Sequence, residues 1–135
     1  MVRISSIAAC CALMLAVVPA ALGSGAHASA NWTAKMTVPT HTPKARKAWP
    51  VKIVAKTAGG KRLRGTVQYH FIYAGQIVAS AGCHPKVVTP CSFTGTYHDV
   101  VHWPLKSVGT RLTFQATVKT KLGRKNLNWW VQVRR

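Results

Sequence analysis

Three sets of residues in this chain could do chemistry. His98, Asp99 and His102 form the densest titratable cluster, with Ser92 and Ser107 close by in sequence. An Asp that orients a His, which in turn deprotonates a Ser, is a hydrolytic triad. The glycine-flanked Gly-x-Ser-x-Gly turn that exposes many such nucleophiles does not occur. His98 and His102 could share a metal ion on one helix face. On an extended strand they would lie on the same side but roughly 13 Å apart. A second ligand set can be drawn from Cys83, His84, Cys91 and His98. His41, His70 and His84 stand isolated, as loop or surface side chains. The expectation is a chain with no catalytic residues, no metal and no cofactor.

Charge narrows the field further. The 135 residues contain 19 Lys+Arg, six His and a single acid, Asp99, for a formal net charge of +18. A glycosidase built on two carboxylates, or a carboxylate cage for Ca²⁺ or Mg²⁺, cannot be assembled from one acid. With 48% hydrophobic and 15% charged residues the chain reads as globular rather than disordered.

Residues 1–30 read as a signal peptide. Arg3 supplies the positive start, Ile7 to Leu22 is an apolar run broken by Pro19, and Ala26-His27-Ala28 and Ala28-Ser29-Ala30 offer small-x-small cleavage sites. The run is too short for a permanent span, which needs roughly 20 residues. Ile7-Ala8-Ala9-Cys10 has the look of a lipobox, but the apolar run continues past it, so Cys10 and Cys11 are expected to leave with the leader. Residues 31–135 then form one secreted domain without a transmembrane span. Cys83 and Cys91 remain, and outside the cell an even pair reads as a disulfide rather than a thiolate metal site.

The elements that must carry these residues are strands. Apolar and polar side chains alternate over 49–57, 66–73, 112–119 and 127–134, the period of half-buried antiparallel strands. Weaker strands are expected at 33–38, 76–80 and 91–97. Gly59-Gly60, Ala74-Gly75 and Leu122-Gly123 mark turns. Residues 39–48 read as an irregular edge segment. About seven short strands in this length is the pattern of a β-sandwich.

The strand at 52–57, Gly59-Gly60, the run Gly65-Thr66-Val67-Gln68-Tyr69, the Ala74-Gly75 hairpin, Trp103-Pro104 and Gly109 to Phe114 resemble bacterial Ig-like domains. The resemblance spans about residues 33–135. It implies an all-β, Ig-like antiparallel sandwich with "Gly-x-Val-x-Tyr" as its third strand, and it implies fold rather than function.

In such a sandwich the connections 58–65, 81–90 and 121–125 would share one pole. That pole would gather Lys61, Arg62, Arg64, Lys86, Lys121, Arg124 and Lys125 as candidate polyanion-binding residues. The other pole would hold an equal number, among them Lys44, Arg46, Lys47 and Lys106. Trp129 is expected in the core. Trp130, on the polar face, is the best candidate for an exposed aromatic. These features suggest a non-enzymatic module that binds anionic wall polymers or other polyanions, without specific nucleic-acid recognition. The alternatives are a cationic antimicrobial or membrane-active protein, or a secreted inhibitor presenting the 83–91 loop.

The cystine generates a prediction. Reduction should lower stability by roughly 2–3 kcal/mol, the chain-entropy value for so short a loop. Denaturant melts with and without reductant measure it, and identical midpoints would exclude the cross-link.

Overall fold

A computed structural model describes residues 31–82 and 88–135. Residues 1–30, expected as a signal peptide, and Cys83, His84 and Lys86 lie outside the described residues. Eight strands follow one another: β1 (Trp32–Thr37), β2 (Ala48–Thr57), β3 (Arg64–Tyr73), β4 (Gln76–Ala81), β5 (Cys91–Thr94), β6 (Thr96–His102), β7 (Arg111–Thr120) and β8 (Gly123–Gln132). One turn of 3₁₀ helix, Leu105–Ser107, precedes β7. The strand pairs are antiparallel and run β1-β2-β6-β5-β3-β7-β8, with β4 on β3. The ladder folds into two antiparallel sheets, β1-β2-β6 and β3-β7-β8 with β4 and β5 on the other edge of β3.

The corner between them is Gly95. The 91–97 segment, expected as one strand, is two. β5 pairs with β3 in one sheet, and β6 pairs with β2 in the other. Gly95 takes φ +74°, a conformation that costs other residues strain. Its N–H donates to the Leu63 carbonyl and its own carbonyl accepts from the Ala55 N–H, both at 2.8 Å. Period-two alternation continues on either side of the break, so the sequence pattern does not reveal it.

Alternation does place the core. Val51, Ile53 and Ala55 of β2, Val67 and Tyr69 of β3, and Phe114, Ala116 and Val118 of β7 are buried, with Val131 and Val133. Aromatic rings join the layers. Trp49 of β2 meets the Phe114 ring edge-on at 5.3 Å and the Trp103 ring at 5.4 Å. Such pairs add to the gain from burial alone. The alternating face of β3 runs out at Tyr73, which is exposed beside the Ala74-Gly75 turn. Both turn residues have positive φ, as a two-residue hairpin requires.

Residues 39–47 do more than skirt an edge. Gln132 N–H donates to the His41 carbonyl and Arg134 N–H to the Pro43 carbonyl, each at 2.8 Å. Lys44 forms a parallel bridge with Arg134. The segment therefore crosses from the first sheet to the end of β8 and the residues just beyond it.

Phe114→Ala should destabilise the domain by about 3–5 kcal/mol, since Phe114 is wholly buried between the sheets. Chemical denaturation of the two proteins measures this. A change below about 1 kcal/mol would mean the β7 register is wrong by one residue.

Candidate anion-binding cleft

Three connections build the cleft. After β2 the chain turns on Thr57, whose Oγ1 accepts from Lys61 N–H at 3.1 Å while its own N–H donates to the Lys61 carbonyl at 2.9 Å. Leu63 is buried, so its neighbours Arg62 and Arg64 are turned outward. The aliphatic stem of Arg62 lies over Gly95, where no side chain competes. In the β7–β8 turn, Leu122 N–H donates to Thr120 Oγ1 at 3.1 Å. Leu122 packs against the core and leaves Lys121 exposed.

The result is a cleft of about 700 Å³ with Lys61, Arg62, Arg64 and Lys121 on its walls. Leu63 and Leu122 supply its apolar lining, and Thr57 and Thr94 add hydroxyls. No carboxylate lines it. Four cations around one concavity with nothing to neutralise them make a site of positive potential.

The other candidates go elsewhere. Arg124 stands opposite Lys119 on the outer face of β7 and β8. Lys125 points to the other face, with its Nζ 5.1 Å from the centre of the Trp32 indole. Lys86 lies outside the described residues. The expected placement of the 81–90 connection at this pole needs correcting. β4 and β5 pair end to end along the same edge of β3, with Ala81 opposite Tyr69 and Cys91 opposite Val67. The connection therefore leaves from the middle of the sheet. The strand count alone put it at a pole, because it assumed that each strand runs the full height.

Trp130 is 41% exposed. It is not bare, because His41 stacks on it at 4.1 Å and on Trp129 at 4.0 Å, both nearly parallel. His41 Nδ1–H donates to the Trp130 carbonyl at 2.7 Å, and the Arg111 guanidinium lies 4.8 Å from the Trp130 ring centre. His41 is thus far from isolated. No local pattern signals this stack, because it joins residues 89 positions apart. Behind Trp130 the outer face continues as polar rows. Gln115 Nε2 donates to Asn128 Oδ1 at 2.8 Å and Thr117 Oγ1 to Asn126 Oδ1 at 3.0 Å.

The His98–Asp99–His102 cluster is pulled apart by its strand. On β6, His98 and His102 are exposed, while Asp99 faces the interior with Tyr97 and Val101. The Asp99 carboxylate accepts from Val100 N–H at 2.7 Å and from the Tyr97 hydroxyl at 3.3 Å. Ser107 Oγ donates to the Pro104 carbonyl at 2.6 Å. Asp99 therefore orients no histidine. Among the described residues no three His, Cys, Asp or Glu side chains are grouped to hold a metal. Burial, reinforced by the Asp99 charge, pushes the Tyr97 hydroxyl up to about 12. The same two causes push Tyr69 well above the usual phenol range.

No family model matches the sequence, and no curated protein matches it. Its fold has neighbours among solved structures. The sporulation control protein Spo0M of Bacillus subtilis superposes with a TM-score of 0.52 at 12% identity, over 78% of this chain and 50% of that one. This chain thus spans about half the length of Spo0M. A superoxide reductase (neelaredoxin) of Ignicoccus hospitalis gives 0.47 at 13% identity, over 76% and 80% of the two chains. A CARDB domain from Pyrococcus furiosus, in complex with di-metal ions, gives 0.43 at 11%, over 76% and 87%. The chain is an all-β domain of two antiparallel sheets, and likeness at these identities speaks to fold alone.

Alkaline titration tests the Asp99 environment. A phenol whose folded value is raised leaves stability intact below its unfolded value near 10 and loses it as pH climbs toward the folded value. Stability should therefore fall from about pH 10 upward. In Asp99→Asn, ultraviolet difference spectra should show Tyr97 ionising at lower pH. An unchanged curve would mean that the carboxylate does not act on the phenol.

Proposed function

We propose that this chain is an exported Ig-like module, without catalysis, that binds anionic polymers at the cell envelope through the cleft between the β2–β3 connection and the β7–β8 turn. The observation that carries this reading is the convergence of Lys61, Arg62, Arg64 and Lys121 on one concavity that no carboxylate enters. A repeating polyanion meets several of these cations at once and releases its counterions on binding. The polar outer face supports the same reading. Its Gln115–Asn128 and Thr117–Asn126 rows offer hydrogen-bonding groups to a sugar polymer.

Strand order favours the Ig-like assignment. With β5 and β6 counted as one strand broken at Gly95, the first and second strands and the β6 half of the broken one make one sheet. The third, its hairpin partner and the last two make the other, as in immunoglobulin sandwiches that carry the extra hairpin strand. The Cys83–Cys91 link would fasten β5 to the connection before it. Residues 1–30 would direct export.

Binding to isolated cell walls and to polyphosphate, measured across a salt series, tests the proposal against net charge alone. Changing Lys61, Arg62, Arg64 and Lys121 together to Gln should weaken binding at low salt by at least tenfold. The slope of log affinity against log salt should shrink by up to roughly four, about one per cation lost. A charge-matched control changes Lys35, Lys47, Lys106 and Arg135 to Gln, all exposed and outside the cleft. It should retain most of the affinity. Equal losses in the two variants would show that the whole body's charge does the binding and that the cleft is no site. Leakage of anionic vesicles at micromolar protein would instead favour membrane activity.

A further inference from the structure

The flank of the sandwich between β4 and β6 is built unlike the rest of the surface. Between positions 65 and 105 the one Lys or Arg is Lys86, which lies outside the described residues, in a chain with 19 of them. β4, β5 and β6 carry no cation, and β3 carries only Arg64 at its far end. The one acid, Asp99, lies on β6. The same flank exposes large apolar side chains: Ile77 and Val78 on β4, Val100 on β6 and Leu105 just beyond it. Two apolar slots open there on either side of Phe71. One, of about 350 Å³, lies between Val78 and Trp103-Pro104, and the other, of about 410 Å³, lies between Ala81 and Val100-Val101. Among residues lining either slot, Lys106 at the end of the smaller is the only cation.

Among the described residues, both strands that border this flank have a free edge. β4 pairs only with β3, and β6 pairs with β2 on one side and meets β5 only at Thr96 on the other. On the opposite flank residues 41–45 hydrogen-bond to Gln132 at the end of β8 and to Arg134 just beyond it, and Lys125 lies over the Trp32 ring. Free edges are ordinarily guarded by Lys, Pro or a bulge. β4 has neither of the first two, and its bulge leaves Val78 without a partner on β3.

We propose that this flank is the docking face for a second copy of the chain. Charge selects that occupant. An acidic partner would be met by cations, and among the described residues this is the part of the surface that holds fewest. A second copy carries the same large positive charge and can approach only where its own cations and its partner's are both few. One patch related to itself by a two-fold axis meets that requirement, the usual arrangement of a homodimer. The bulge breaks the β4 ladder, so the contact forms through the Val78, Ile77 and Val100 side chains rather than by a long added strand.

The salt dependence runs opposite to that of polymer binding, so this inference and the proposed function fail separately. Screening removes the repulsion between copies, as the Debye length falls from about 30 Å at 0.01 M salt to about 3 Å at 1 M. Sedimentation equilibrium of the purified chain should show monomer at the lower salt and dimer at the higher. The double variant Val78→Lys, Val100→Lys should stay monomeric at both, with an unchanged far-ultraviolet circular dichroism spectrum, because both side chains are exposed. Asn126→Lys, on the exposed face of β8, should dimerise as the parent does. A chain that stays monomeric in high salt would overturn the proposal. So would a dimer that survives the double lysine variant, or an apolar molecule found by native mass spectrometry on a monomer whose slots it fills.

Discussion

Phe114 is the fixed point of this domain. It is wholly buried, and the rings of Trp49, Tyr69, Phe71 and Trp103 surround it at 4.8 to 6.2 Å. Those rings come from β2, β3 and the segment after β6, so a single side chain ties both sheets together. The layer carries an unusual burden. A chain with one acid can form at most one side-chain ion pair to a carboxylate, so its cations repel one another almost without compensation. Among the described residues no charged or polar side chain is buried. The work of holding this body together falls on apolar burial, and the aromatic layer is its densest part.

Much of that layer was legible in the sequence. Val67-x-Tyr69, Leu112-x-Phe114-x-Ala116-x-Val118 and Val131-x-Val133 alternate because a strand with one wet face must, and each set turns its apolar members inward. The exposure of Trp130 follows from the same parity. What the pattern could not carry was long-range pairing. A strand that changes sheets at Gly95 keeps its alternation through the corner. The stacking of His41 between Trp129 and Trp130 depends on where residues 39–47 cross over. The end-to-end arrangement of β4 and β5 on one edge of β3 is likewise a matter of register, which local composition does not encode.

The candidate site was legible to a similar degree. Lys61, Arg62, Arg64 and Lys121 flank turns that glycine and alternation mark, and antiparallel pairing brings those turns together. Arg124 and Lys125 belong to the same cluster in sequence, yet they are separated because neighbours on a strand point to opposite faces. The histidine and aspartate cluster on β6 is broken by that same rule. Proximity along a strand is therefore a poor guide to a shared site, whereas proximity across a turn is a good one.

The corner at Gly95 links the two regions of the surface. Because β5 ends in one sheet and β6 begins in the other, Thr94 is brought beside Arg62 and Arg64, and Gly95 leaves room for the Arg62 stem. That closes the pole around the cationic cleft. The same switch limits the contact between β5 and β6 to a single residue pair, Thr94 with Thr96, so the edge of β6 beyond it has no neighbouring strand. A larger side chain at Gly95 would meet both the positive φ and the Arg62 stem. One small residue thus gathers charge at one end and leaves the edge of β6 open at the side among the described residues.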